Sequence, residues 1–99
     1  MNIEEKSPAD AIRAAGSRLR HVHACENDRG TPGSGSVDWT SIAQALRDVN
    51  YQGVVVIESF TSKVKSIARA AAIWRSLAPS QDALARDGGA FLRQLLAAQ

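Results

Sequence analysis

The four consecutive apolar residues from Val54 to Ile57 constrain the fold of this chain more than any other stretch. All four are β-branched, and the run is bounded by Gly53 and by the carboxylate of Glu58. A continuous apolar run, unlike an alternating one, is typical of a strand that is buried on both faces in a parallel sheet. Parallel strands need a crossover connection, which usually contains a helix. The run therefore predicts an α/β protein with a strand over residues 53–58.

A second strand is predicted over residues 19–24, where Leu19, His21 and His23 share one face. It is followed by a polar segment from Glu26 to Val37 that contains four Gly or Pro residues. This segment is long for a connector, which favours a binding loop. Since ligand sites in parallel α/β folds lie at the carboxyl ends of strands, we expect His23 and Glu58 to lie together there.

About four helices are expected around these strands. Ser7 and Asp38 are suitable N-caps for the first two, and Pro79 ends the third. Gly88-Gly89 is expected to weaken or kink the fourth, because glycine is unfavourable inside helices. The predicted ranges are Pro8 to Ala15, Trp39 to Val49, about Ser62 to Pro79, and Gln81 to Ala98.

Composition excludes several classes of function. The net charge of +2 comes from 12 basic and 10 acidic residues that are interspersed, which argues against a nucleic-acid-binding surface. No apolar run is long enough to cross a membrane, and no signal peptide is evident. The single cysteine, Cys25, cannot form an internal disulfide, so a reducing, cytoplasmic location is expected. The 99 residues suffice for one domain at most.

Two strands do not complete a parallel sheet. Their open edges would expose unpaired backbone groups and apolar side chains. We therefore expect that part of the sheet is missing from this chain. We also expect the chain to self-associate through the open strand edges or to pack loosely.

A series of short motifs follows one another along the chain, namely Asn2 to Glu5, His21 to His23, Glu26 to Arg29, Pro32 to Gly35, Asp38-Trp39 and Gly53 to Phe60. In this order they resemble the C-terminal portion of the ketose 3-epimerases, which are the D-tagatose and D-psicose 3-epimerases of the xylose-isomerase-like (β/α)8 barrel superfamily. The resemblance covers nearly the whole chain, with weaker detail after about Thr61. It implies that residues 1–99 are a C-terminal fragment of a TIM barrel domain, with two parallel strands (19–24 and 53–58) and about four helices.

The resemblance also implies a site and a cofactor. His23 matches a metal-binding histidine, Glu58 matches a glutamate that binds the metal and exchanges the C3 proton, and Arg29 matches an arginine that contacts substrate oxygens. The divalent metal is usually manganese, or else magnesium or cobalt. The substrate is a ketose, whose C3 proton moves through an enediolate. Such residue types suit a divalent ion and an oxygen-rich substrate.

The family places one further glutamate, one aspartate and a substrate histidine upstream of the positions present here. We therefore expect the isolated chain to bind metal weakly and to be inactive. Two alternatives remain open. The chain could belong to another enzyme of the superfamily, such as a hydroxypyruvate isomerase or an inosose dehydratase, or it could be a non-catalytic remnant. Each residue also has a structural interpretation: a hydrogen-bonded strand histidine for His23, a strand-end carboxylate for Glu58 and a solvated loop charge for Arg29. His21, Cys25 and Glu26 are interpreted as structural residues.

Overall fold

This computed structural model of the protein describes residues 5–58 and 80–97. The described elements are three helices and two parallel strands, an α/β arrangement that confirms the predicted partial barrel fold. The predicted third helix lies outside the described residues. The helices are α1 (Pro8–Ala15), α2 (Trp39–Asp48) and α3 (Gln81–Ala97), and the strands are β1 (Val22–Ala24) and β2 (Val55–Ile57).

Both strands are shorter than predicted. The backbone N–H of Leu19 donates to the carbonyl of Gly16 at 3.1 Å, which closes a 3₁₀ turn over Gly16–Arg18. This turn occupies the chain just before the predicted strand, and β1 begins only at Val22. The pairing in register joins Val22 with Val55, His23 with Val56 and Ala24 with Ile57.

The prediction that the apolar run is buried on both faces is wrong for the described chain. Val54 and Val56 are 61% and 39% exposed. The residues on either side of Val56 are half-buried toward the helices, where Ile57 lies near Gly88 of α3. Among residues 5–58 and 80–97, no element covers the face that carries Val56 and His23. Self-association through this sheet stays a prediction.

The helices begin where the sequence indicated. The side chain of Ser7 accepts a hydrogen bond from Asp10 N at 3.2 Å, and Asp38 accepts one from Ser41 N at the same distance. Gly16 ends α1 with a positive φ of 54°, a conformation that favours glycine. The main core lies where α1 and α2 pack together, and it comprises Ala9, Ile12, Ala45 and Leu46, with Leu19, Val22, Ile42, Val49, Tyr51 and Leu96 against it.

The third described helix runs from Gln81 to Ala97 and passes through Gly88-Gly89 without interruption. Gly88 is buried, and a Cβ atom there would lie 2.9 Å from the ring of Pro32. Glycine therefore allows α3 to approach the loop after β1 closely.

Candidate functional site

The carboxyl ends of the two strands bring His23 and Glu58 into contact. The backbone N–H of Glu58 donates to the carbonyl of Ala24 at 2.9 Å, which continues the parallel ladder beyond β2. In this register His23 Nδ1 lies 2.8 Å from Glu58 Oε1. The prediction that these side chains meet at the ends of parallel strands is confirmed.

The loop after β1 returns Arg29 to the same place. Its backbone has a φ of 72°, in the left-handed region that non-glycine residues seldom occupy. The Arg29 N–H donates to the carbonyl of Glu26 at 3.0 Å, and the Glu26 N–H donates to the carbonyl of Gly30 at 3.2 Å. This tight turn directs the Arg29 side chain toward β2, where its Nη1 lies 3.9 Å from Glu58 Oε2. All three predicted site residues are therefore neighbours.

Cys25 belongs to the same cluster, although the sequence analysis interpreted it as a packing residue. Its Sγ lies 3.7 Å from Glu58 Oε2 and 3.8 Å from Arg29 Nη1. Burial, reinforced by the negative charge of Glu58, raises the pKa of this thiol above its ordinary value of 9.0 despite the opposing effect of Arg29. The thiol is thus protonated at neutral pH. The alternation of His21, His23 and Cys25 along the chain is a signal that could have placed it here.

Glu26 organises the loop after β1, a role that the sequence did not reveal. Among the residues that the structure describes it is the only buried charged side chain, at 2% exposed. Its Oε2 accepts hydrogen bonds from Gly33 N and from the Trp39 indole, both at 2.8 Å. Its Oε1 accepts one from Val37 N at 2.8 Å and a longer one from Asn27 N at 3.4 Å. One carboxylate therefore connects the start of the loop to the start of α2.

Close packing against α3 completes the loop. Gly33 has a φ of 95°, and a Cβ atom there would lie 2.6 Å from the ring of Phe91. The same ring packs edge to face on Trp39, with centroids 6.0 Å apart. A larger residue at position 33 would therefore disturb both the turn and the aromatic contact.

The hydrogen bonds to Glu26 predict how this loop responds to acid. Burial alone would raise the pKa of Glu26, but the donors of Trp39, Val37, Gly33 and Gly35 outweigh it and lower the pKa below 4.5. A carboxylate with a lowered pKa stabilises the fold fully above its unfolded pKa, and this stabilisation is lost as the pH falls through the folded value. We expect the loop to stay ordered at pH 4.5 and to open at lower pH. NMR amide signals of Gly33 and Val37, followed during acidification, test this; their loss already above pH 4.5 would contradict it.

The donor set for a metal is limited in the described part of the chain. There, no group of three or more His, Cys, Asp or Glu side chains is arranged to hold an ion. His23 and Glu58 nevertheless fit one in type and spacing. Two donors about 2.1 Å from an ion and at right angles would lie about 3 Å apart, and these two are separated by 2.8 Å.

Within residues 5–58 and 80–97, no helix is both long and apolar enough to cross a membrane.

Comparison with known proteins identifies similar chains. Residues 1–95 match the protein-family model of the xylose isomerase-like TIM barrel. A D-psicose 3-epimerase from Enterocloster bolteae is 51% identical over 89 residues, which is 88% of this chain and 30% of that enzyme.

Solved structures agree with this match. An L-ribulose 3-epimerase superposes with a TM-score of 0.91 at 36% identity, over 99% of this chain and 34% of the other. A D-psicose 3-epimerase from Clostridium cellulolyticum H10, solved with D-tagatose, gives a TM-score of 0.83 at 39% identity, over 97% of this chain and 35% of the other. The chain thus spans about a third of the length of the proteins that it matches.

Proposed function

Because this chain belongs to the xylose isomerase-like TIM barrel family, we propose that it corresponds to the C-terminal portion of a metal-dependent ketose 3-epimerase. The observation that carries the proposal is the convergence of His23, Arg29 and Glu58 at the carboxyl ends of adjacent parallel strands. In barrels of this kind the chemistry takes place at that end of the strands. The similar enzymes bear the names of ketose epimerases, which supports the choice of reaction.

His23 and Glu58 would hold the divalent ion, which we propose to be Mn²⁺, with Mg²⁺ or Co²⁺ as substitutes. A neutral imidazole and a carboxylate are suitable ligands for these ions. When bound, the ion would supply Lewis-acid polarisation of substrate oxygens. Two ligands from this chain give weak binding, and the remaining ligands would come from strands outside it.

Glu58 would carry the proton at C3 on one face of the sugar. Its side chain is 29% exposed, so a substrate can reach the carboxylate. The ladder hydrogen bond to Ala24 fixes its backbone, and its Oε1 and Oε2 face His23 and Arg29 respectively. A carboxylate held in this way can accept a proton and return it.

Arg29 would bind hydroxyl or carbonyl oxygens of the ketose. Its side chain is 39% exposed, and its Nη1 lies 3.9 Å from Glu58 Oε2. A guanidinium presents several N–H donors in a fixed plane, which suits an oxygen-rich ligand. The positive φ of Arg29 fixes the direction in which this side chain leaves the loop.

A second function from the same superfamily is a hydroxypyruvate isomerase or an inosose dehydratase. The names of the similar enzymes favour the epimerase. A non-catalytic remnant is the remaining alternative, and the test below separates it from an enzyme. We place the protein in the reducing cytoplasm, in keeping with its single cysteine.

The test is to complete the barrel. We define the completed barrel as this chain fused to, or co-expressed with, the N-terminal two thirds of a matched D-psicose 3-epimerase. The isolated chain with Mn²⁺ should show no measurable ketose epimerisation, because proton exchange on the opposite face of the sugar has no carrier. The completed barrel should show metal-dependent epimerisation, assayed by chromatographic separation of the C3 epimers. Turnover by the isolated chain, or a folded completed barrel without activity, would contradict the proposal.

A further inference from the structure

The ring of His23 is engaged at both nitrogens. On one side its Nδ1 lies 2.8 Å from Glu58 Oε1. On the other side its Nε2 lies 2.8 Å from the Nε2 of His21, with the two rings edge to face at a centroid distance of 4.7 Å. Both histidines are exposed on the sheet face that no described element covers. His21 therefore contacts the proposed metal ligand directly, on the side away from Glu58.

Proton accounting fixes the direction of these two hydrogen bonds when no cation is bound. A carboxylate only accepts, so His23 Nδ1 must carry a proton and donate it to Glu58. In a neutral His23 ring the Nε2 atom then has only a lone pair. The bond between the two histidines must accordingly run from the Nε2–H of His21 to the Nε2 of His23.

With a cation bound between His23 Nδ1 and Glu58, the hydrogen bond between the two histidines would have to run in the opposite direction. An imidazole nitrogen binds a metal ion only through its lone pair, so His23 Nδ1 has to lose its proton. The neutral ring then carries its proton on Nε2, where it can donate to the Nε2 of His21. His21 in turn carries its own proton on Nδ1. Each ring keeps one proton and no charge in both states, and only the positions of the protons change.

We propose that His21 is a positioning residue for the cation site, and that its hydrogen bond with His23 reverses direction when an ion takes the place of the proton between His23 and Glu58. The proposal rests on the cation site of the proposed function. Partners that bind the second nitrogen of a metal-ligating histidine fix its tautomer and orientation, and their loss usually costs about 10–100-fold in metal affinity. His21 can serve in both states because its Nε2 can either donate or accept.

The chain allows a matched pair of variants. His21→Phe keeps a planar ring but can neither donate nor accept. His21→Gln can do both, since its amide offers an N–H₂ group or a carbonyl oxygen on rotation. Because His21 is exposed, neither change should impair folding. We expect His21→Phe to bind Zn²⁺ about 10–100-fold more weakly than wild type and His21→Gln to recover most of that loss.

The readout is the ¹⁵N NMR spectrum of the imidazole rings in the 99-residue chain, recorded at about pH 8, where an unperturbed imidazole is neutral. Without metal, we expect protons on Nδ1 of His23 and on Nε2 of His21. With Zn²⁺, a diamagnetic ion that imidazole binds well, both should move to the other nitrogen. The same spectra give the affinities of the three proteins.

Three results would overturn the role of His21. These are tautomers that do not change on Zn²⁺ binding, a Phe variant that binds as tightly as wild type, or Zn²⁺ bound between the two Nε2 atoms with protons left on both Nδ1 atoms. Each of them leaves the epimerisation test of the completed barrel unaffected. A wild-type chain that takes up no ion would overturn the role of His21 and the cation site together.

Discussion

Replacing Glu58 with Gln in the completed barrel should lower kcat for ketose epimerisation by about 10²–10⁴-fold, the usual contribution of a general base. Gln has nearly the shape of Glu and can keep the contact with His23, but it cannot accept the C3 proton. The change also removes a proposed metal ligand, so the assay is run with saturating Mn²⁺. Under that condition the loss of kcat reports on proton transfer and not on metal occupancy.

The control for this variant is Asp82→Asn. Asp82 is an exposed carboxylate in the first turn of α3, outside the site. The completed barrel with Asp82→Asn should retain wild-type kcat and KM, because only a surface charge is removed. Full activity of Glu58→Gln at saturating metal would remove Glu58 from the mechanism and would favour another proton carrier.

Replacing Glu26 with Gln should lower the free energy of unfolding of the chain by about 2–4 kcal/mol, since buried hydrogen bonds to a charged group contribute about 1.5–3 kcal/mol each. The two oxygens of Glu26 accept bonds from different donors, with Gly33 and Trp39 on one and Val37 on the other. Gln retains only one oxygen and turns an N–H₂ group toward the remaining donors. Urea unfolding followed by far-ultraviolet circular dichroism measures the difference.

The matched control is Glu5→Gln, which makes the same chemical change at an exposed position. A surface substitution of this kind usually changes stability by less than about 0.5 kcal/mol. If Glu26→Gln were as stable as Glu5→Gln, the carboxylate would not be what holds the loop. A loss of the predicted size would be a large fraction of the total stability of a typical folded domain, which is about 5–15 kcal/mol.

The predictions from sequence succeeded where a physical signal is local. Ser7 and Asp38 act as N-caps because their side chains reach backbone N–H groups a few residues away, whatever the rest of the fold does. The β-branched run from Val54 onward formed a strand because the preference of such residues for extended backbone is also a local property. The end of a strand is less local, because it depends on where the partner strand stops, and this is why both strands proved shorter than predicted.

The sequence alone determined the α/β class, the two parallel strands and the polar residues at their carboxyl ends, because side-chain periodicity and capping act over a few residues. It named His23, Glu58 and Arg29, and the structure brings these three together. Only the tertiary structure decided that Glu26 is a buried acceptor, that Cys25 contacts both Arg29 and Glu58, and that Gly88 of α3 packs closely on Pro32. Each of these depends on contacts between residues that are distant in the chain. A carboxylate is solvated in one packing and buried in another, and its own sequence neighbourhood does not distinguish the two.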